Sequence, residues 1–347
     1  MYLQDTPPPH PGWKERLFDL ALRSGLTPLG HSLWKNTLTV LNYHRVNDPD
    51  APDFDTFKPN VSARPEAFAR QMDYLKRWFN VVSLQRVIAW LEGREDLPPR
   101  AALITFDDGY RDNYTHAYPI LRERGLPATI FLTTGHIESD RPFYWDLVAY
   151  CFTHTHRESV TLPNGKVRHW ENAHERERVA RAWIEAAKAL PESAKQTWVE
   201  RLPEQLGVAI PSGYFRRQML TWEQIREMRE GGIEFGAHSV THPILTRIPL
   251  AQAKEEIETS KRHIEEETGE PVLAFAYPNG LRDDFSPPIE RLVAEAGMHL
   301  AFTLLNGPCS RREVRRDPFA IRRIFISHRH TLPRFALLLT ILNRYRH

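Results

Sequence analysis

Short apolar runs alternate with amphipathic stretches over most of the chain. Residues 38–44 (LTVLNYH) predict a strand that turns polar at its end. Phe68, Met72 and Leu75 recur at helical spacing within 65–79, and Val87, Ile88 and Leu91 mark a second helix after a short apolar run at 81–84. Residues 101–106 (AALITF) predict a strand, 114–124 a helix that stops at Gly125, and 127–134 (PATIFLTT) another buried strand. Alternation pauses over roughly 143–213, a charged and helix-rich stretch with Val179, Trp183 and Ala187 on one face. It resumes at Thr221, which with Gln224 three residues on forms a capping-box pattern; Gly231 predicts that helix's end. Residues 233–238 predict a strand, 251–268 a helix with Ala253, Ile257 and Ile264 inward, and 272–278 a strand. Ser286-Pro287 opens a helix that Gly297 closes, and 299–304 and 320–326 are the last strands.

Repeated strand–helix units imply parallel strands joined by helical crossovers. Seven or eight of them predict an α/β fold of the closed (β/α)7–8 barrel type, with the functional site at the carboxyl ends of the strands. The expected organisation is an N-terminal extension over 1–36, a barrel over 37–330 carrying the 143–213 insertion, and a basic, apolar C-terminal helix over 331–347 that docks on the barrel. In the extension, Trp13, Leu17, Leu20 and Ala21 share one helical face, expected to pack against the main domain.

The 347 residues suit one α/β barrel. The net charge of +2 favours no polyanionic partner, although ten arginines lie between Thr303 and the C-terminus. With no recognition motif beside them, nucleic acid is not an expected partner. Cys151 and Cys309 form no metal or redox pattern and are expected as free thiols. The polar, proline-rich start has no apolar core segment, which predicts a cytoplasmic protein, with peripheral contact at the inner face of the membrane as the other expectation.

Four strand ends carry reactive residues. Thr105-Phe106-Asp107-Asp108-Gly109-Tyr110 puts two carboxylates where an apolar strand runs out. Neighbouring strand residues point to opposite sides, so both can serve one site only if the chain turns, which Gly109 permits. One carboxylate could then ligate a metal while the other takes a proton from water. His238-Ser239-Val240-Thr241-His242 spaces two histidines as a divalent metal would use them. Tyr277-Pro278-Asn279-Gly280 forces a turn whose N–H groups could hold an oxyanion. Asn42-Tyr43-His44-Arg45 supplies a histidine able to protonate a leaving group. Each alone has a plainer explanation, a surface turn or a structural histidine; four coincident strand ends weaken that explanation.

With these residues in view, the chain resembles the polysaccharide deacetylase family, also called the NodB-homology domain or carbohydrate esterase family 4. TFDDGY is similar to its first motif, HSVTH to its second, and FAYPNG to a variant of its third. The resemblance covers roughly 38–327, interrupted by the insertion. It implies a distorted barrel, with Asp107 as catalytic base and Asp108, His238 and His242 as ligands of a divalent metal, Zn²⁺ being the expected ion. The arginine that many members carry in the third motif is missing, and Arg323 in AIRRIF is the candidate replacement. The LNYHRV start resembles the subgroup that deacetylates biofilm poly-N-acetylglucosamine, which implies His44 as general acid, with His328 as runner-up.

The implied reaction removes acetate from an N-acetylated sugar of a glycan, with an oxyanion resting near Tyr277, Pro278 and Asn279. Tyr110, Tyr277, Trp145 and Trp222 could stack on sugar faces, or belong to the core. Two other readings stay open: a metal-dependent amide or ester hydrolase on a non-sugar substrate, and a degenerate barrel that only binds glycan.

Overall fold

Seven parallel strands succeed one another around a closed ring in this computed structural model, which describes residues 35–339 together with Trp13, Arg16 and Leu20. They are β1 (Thr37–Tyr43), β2 (Ala101–Phe106), β3 (Ala128–Leu132), β4 (Ile233–Ala237), β5 (Ala274–Ala276), β6 (Leu300–Asn306) and β7 (Ile321–Phe325). Each pairs with the next in chain order, and β7 returns to β1 at Leu41↔Ile324 and Asn42↔Phe325. This is the (β/α)7 form of the expected barrel. Strands buried on both faces read as continuous apolar runs, which is why AALITF and ATIFL were legible.

The helices are α1 (Pro65–Trp78), α2 (Leu84–Leu91), α3 (Tyr118–Arg124), α4 (Tyr144–His154), α5 (Ala173–Lys188), α6 (Glu192–Leu206), α7 (Trp222–Glu230), α8 (Leu250–Thr268), α9 (Pro287–Glu295), α10 (Arg311–Arg316) and α11 (Leu332–Leu338). Phe131 on β3 and Phe302 on β6 are not sheet neighbours, yet their rings lie 5.3 Å apart, so they meet across the barrel interior. Gly236 on β4 makes room for this pair, since a Cβ there would stand 2.4 Å from the Phe131 ring.

Several local expectations need correction. The 81–84 run is a strand only over Asn80–Val81; Ser83 accepts a hydrogen bond from the Arg86 N–H and caps α2 instead. The 272–278 strand contracts to Ala274–Ala276. At α7 both the capping box and the end of the helix at Gly231 are as expected, with the left-handed residue one further on at Gly232. Ser286 makes no side-chain cap at α9. The insertion is not wholly helical, for Ser159–Thr161 and Val167–His169 form an antiparallel hairpin turned at Gly165. It is joined to the barrel by Asp146, which accepts the Phe57 N–H at 2.9 Å and the Tyr110 hydroxyl at 2.7 Å.

At the N-terminus Trp13, Arg16 and Leu20 are helical, with Trp13 and Leu20 69% and 65% exposed; Leu17 and Ala21, expected on the same face, lie outside the described residues. The described part of the C-terminal segment docks as expected, with Phe335 of α11 edge-on to Tyr74 of α1 at 5.9 Å. Residues 340–347 are outside the described set. Among the described residues no helix is long and apolar enough to cross a membrane. The arginines of 311–334 do not act as one patch: Arg322 pairs with Glu313, and Arg323 is fully buried in the barrel. Cys151 and Cys309 are free and buried.

Candidate metal and catalytic centre

The chain turns sharply just past β2. Asp108 and Gly109 both take the left-handed conformation, with φ of 76° and 82°. The turn is therefore made at the second aspartate as well as at the glycine. A non-glycine residue held there costs on the order of 1–3 kcal/mol, a penalty that clusters at functional sites. Both carboxylates are buried, and they have opposite surroundings.

Asp107 is gripped by donors. Arg323 on β7 approaches it end-on, Nη1 to Oδ1 and Nη2 to Oδ2 both at 2.7 Å, and Asn42 at the end of β1 donates to Oδ2 at 2.9 Å. Burial raises the Asp107 pKa, but Arg323 and then His238 and His44 outweigh burial and hold the carboxyl at about 2. Arg323 is fixed in turn by Nε donating to the Thr303 carbonyl at 2.9 Å. Arg323, the candidate replacement for the arginine missing from the third motif, thus reaches Asp107 from β7.

Asp108 has no donor. Neither of its buried carboxylate oxygens has a hydrogen-bond partner among the described residues. Burial raises its pKa well above the usual carboxylate range, and Asp107 and Asp146 add to the rise. A buried acceptor pair without donors needs a proton or a cation. His238 and His242 face it, each Nε2 at 3.6 Å from Asp108 Oδ1. His238 Nδ1 lies 2.7 Å from the Ala276 carbonyl, so that nitrogen carries the proton and leaves Nε2 as a lone-pair donor. Burial lowers the pKa of both histidines, and His238 lowers His242 further, which keeps both rings neutral. One ligand atom from each of the three residues falls within 4.8 Å of the others, so the group could hold a metal ion. One carboxylate and two imidazoles are a donor set that suits a divalent metal.

The two histidines follow β4 in a loop whose Ser239 and His242 are left-handed, with φ of 63° and 58°. Ser239 Oγ accepts the His242 N–H at 3.0 Å, and Gly135 N–H donates to the Val240 carbonyl at 2.8 Å. A Cβ at Gly135 would stand 2.6 Å from that carbonyl, so glycine is required there.

His44 ends β1. Burial lowers its pKa to about 4, Asp107 opposes that shift, and Arg323 and His238 add to it, which sets His44 among the centre's groups. Its Nδ1 is buried and unpartnered. His328 stands elsewhere: its Nδ1 meets the Val61 carbonyl at 2.9 Å, and the charges acting on it are Arg329, Asp50 and Arg64.

The turn after β5 departs from expectation. The Tyr277 N–H is already given to the Phe302 carbonyl, and its buried hydroxyl donates to the Phe319 carbonyl. Pro278 has no N–H. Of the three proposed oxyanion residues only Asn279, left-handed at φ 63°, has a main-chain N–H that pairs with nothing among the described residues. Tyr110 and Tyr277 are fully buried and cannot stack on a sugar. Tyr110 Oη instead donates to Asp146 at 2.7 Å and accepts from Trp145 Nε1 at 2.9 Å. Trp145 is mostly buried and lies edge-on to His242 at 4.9 Å, with Phe143 stacked against it at 4.7 Å. Trp222 begins α7, its N–H given to Glu138. The residues that sequence reasoning passed over are Asn42, Asp146 and Glu256. Asn42 lay inside a motif already singled out; the other two belong to helices whose placement against the site is a tertiary matter.

A match to the polysaccharide deacetylase family extends over residues 94–301. A poly-β-1,6-N-acetyl-D-glucosamine N-deacetylase of Staphylococcus epidermidis is 34% identical over 113 residues, 30% of this chain and 39% of that protein. The match thus spans about two fifths of that relative's length. Among solved structures, the Streptococcus pyogenes deacetylase PplD, in complex with acetate, superposes with a TM-score of 0.59 at 18% identity, covering 88% of this chain and 99% of its own. IcaB from Ammonifex degensii does so with 0.55 at 21% identity, covering 88% and 98%. These two likenesses concern the fold. The family match itself runs over more than half of the chain and takes in both the Asp107-Asp108 turn and the His238–His242 loop, and on that ground the chain belongs to the polysaccharide deacetylase family.

Proposed function

We propose that this protein hydrolyses the N-acetyl group of an amino sugar in a glycan, releasing acetate, with the help of a divalent metal. The observation that carries the reading is the contrast between the adjacent carboxylates: Asp107 saturated with donors and held ionised, Asp108 without any and facing two neutral histidines. Asp108, His238 and His242 would hold the ion, with Zn²⁺ the expected one. A divalent cation bound there supplies Lewis acidity, lowering the pKa of a water and polarising a carbonyl oxygen.

The chain's own groups then divide the proton work. Asp107 is an anion at any physiological pH and takes the proton of the attacking water. Arg323 and Asn42 hold it in one orientation, which fixes where that water stands. The Asn279 N–H is the main-chain donor left to the developing oxyanion. His44 protonates the departing amine. It rests neutral, so its proton arrives during turnover, and Asp107 has just collected one. The glycan class is supported by the family and by the poly-N-acetylglucosamine deacetylase it resembles.

The test is acetate release from N-acetylglucosamine oligomers by the full chain, metal-stripped and then reloaded with Zn²⁺. Release that needs the metal is the expected outcome. Zn²⁺ binding without release from any oligomer would remove the glycan reading and leave the amide or ester hydrolase. The acid assignment has its own comparison: His44→Gln is expected to lower kcat by about 10²–10⁴-fold, and His328→Gln to leave it within a few-fold. Equal losses in both, or a loss only in the second, would move the acid role to His328.

A further inference from the structure

Glu256, on α8, is a buried carboxylate whose hydrogen bonds all go to one loop. Its Oε2 accepts the Val240 N–H at 2.7 Å and the Thr241 N–H at 2.8 Å, and its Oε1 accepts the Thr241 hydroxyl at 2.5 Å. These two amides lie between His238 and His242. On the opposite side the Val240 carbonyl is taken by Gly135 N–H, and the Ser239 carbonyl by Thr134 N–H at 3.2 Å. The loop is thus held from both faces, by the end of β3 and by one side chain of α8.

The hold has a purpose in the backbone. Ser239 and His242 are left-handed without being glycine, a conformation that relaxes unless the surroundings over-determine it. Ser239 Oγ locks one end of the turn through the His242 N–H. Among the described residues, Glu256 is the acceptor for the N–H groups of Val240 and Thr241, in the middle. A charged acceptor binds such donors more strongly than a neutral one, and a short arm from a 19-residue helix is a rigid anchor.

We propose that Glu256 is the positioning residue of the metal centre: by clamping the Val240 and Thr241 amides it holds His242 Nε2 opposite Asp108 and so sets the affinity for the ion. This rests on the reading of Asp108, His238 and His242 as a metal site. Glu256 acts through reach and hydrogen bonding. Glutamine in its place keeps the reach, can accept both N–H groups on its amide oxygen and can donate to Thr241 Oγ1; aspartate keeps the charge but falls one methylene short.

The experiment uses the full chain and two readouts. In metal-free protein, hydrogen exchange across 239–242 is expected to be about 10-fold or more slower in wild type than in Glu256→Ala. Zn²⁺ affinity, measured against a competing chelator, is expected to fall about 10–100-fold in Glu256→Ala, more in Glu256→Asp than in Glu256→Gln. At saturating Zn²⁺ the kcat of Glu256→Ala should recover while KM for the oligomer stays unchanged. If Glu256→Ala does not fold, the order of the glutamine and aspartate variants decides. Equal exchange in wild type and Glu256→Ala, wild-type Zn²⁺ affinity in a folded Glu256→Ala, or aspartate closer to wild type than glutamine would each overturn the proposal. A wild type with protected amides that binds no Zn²⁺ would overturn the metal reading and leave the clamp standing.

Discussion

Arg323→Met is expected to destabilise the protein by about 3–5 kcal/mol at neutral pH, the range for breaking a fully buried ion pair from one side. Arg323 is completely buried, and its partner Asp107 is 1% exposed. Solvent cannot screen or replace the lost contact, and among the described residues Asn42 is the side-chain donor that remains to Asp107. The pH dependence identifies the cause. In the wild type the Asp107 pKa is about 2, below its ordinary 3.8. It therefore contributes stability that is present above about 3.8 and lost as pH falls through 2. Without Arg323 the largest influence left is burial, which raises the pKa. The carboxyl then contributes the opposite sign: the penalty on folding sets in above 3.8, is complete above the raised value, and fades as pH falls back toward 3.8. Urea unfolding should show a wide gap between wild type and Arg323→Met at pH 7 that narrows toward pH 4. Adding Asp107→Asn to Arg323→Met should recover a large part of the loss, because a neutral amide no longer needs the guanidinium. A gap that does not change with pH would mean that Arg323 acts by packing against Phe131 and not by charge.

Asp107→Asn on its own is expected to reduce acetate release by about 10²–10⁴-fold while Zn²⁺ affinity changes only a few-fold. The amide can still accept one hydrogen bond from Arg323, but it cannot take a proton. Asp108, His238 and His242 are unaltered by the change, so metal binding tests the surroundings and turnover tests the base. The variant loses one acceptor for a buried guanidinium, so unfolding must be measured beside kinetics to separate the two effects. An Asp107→Asn protein that keeps its turnover would transfer the base role away from Asp107. One that loses Zn²⁺ binding in step with turnover would make Asp107 part of the ligand set.

The amino-acid order alone carried the alternation of strands and helices, the carboxyl-end location of the motif residues, the capping box at Thr221 and the grouping of Asp108 with His238 and His242. These are local properties. Side-chain periodicity, turn residues and short motifs are read within one element and its loop, and the right-handed βα connection then sends every strand end to the same mouth. Which strand neighbours which across the ring is not local. Arg323 reaches Asp107 from 216 residues away because closure brings the last strand beside the first and turns both inward. The same closure brings the end of β1 beside that of β2, so Asn42 meets Asp107. It also spends the Tyr277 N–H on Phe302, which removed a residue the turn chemistry had favoured. The insertion interrupts the alternation along the chain but places Trp145 against His242 and Asp146 against Tyr110, because burial, not sequence spacing, decides the contacts of α4. The local pattern thus settled which residues could carry chemistry. Only the closed barrel decided which of them have partners, and a partner is what separates an ionised Asp107 from a cation-seeking Asp108.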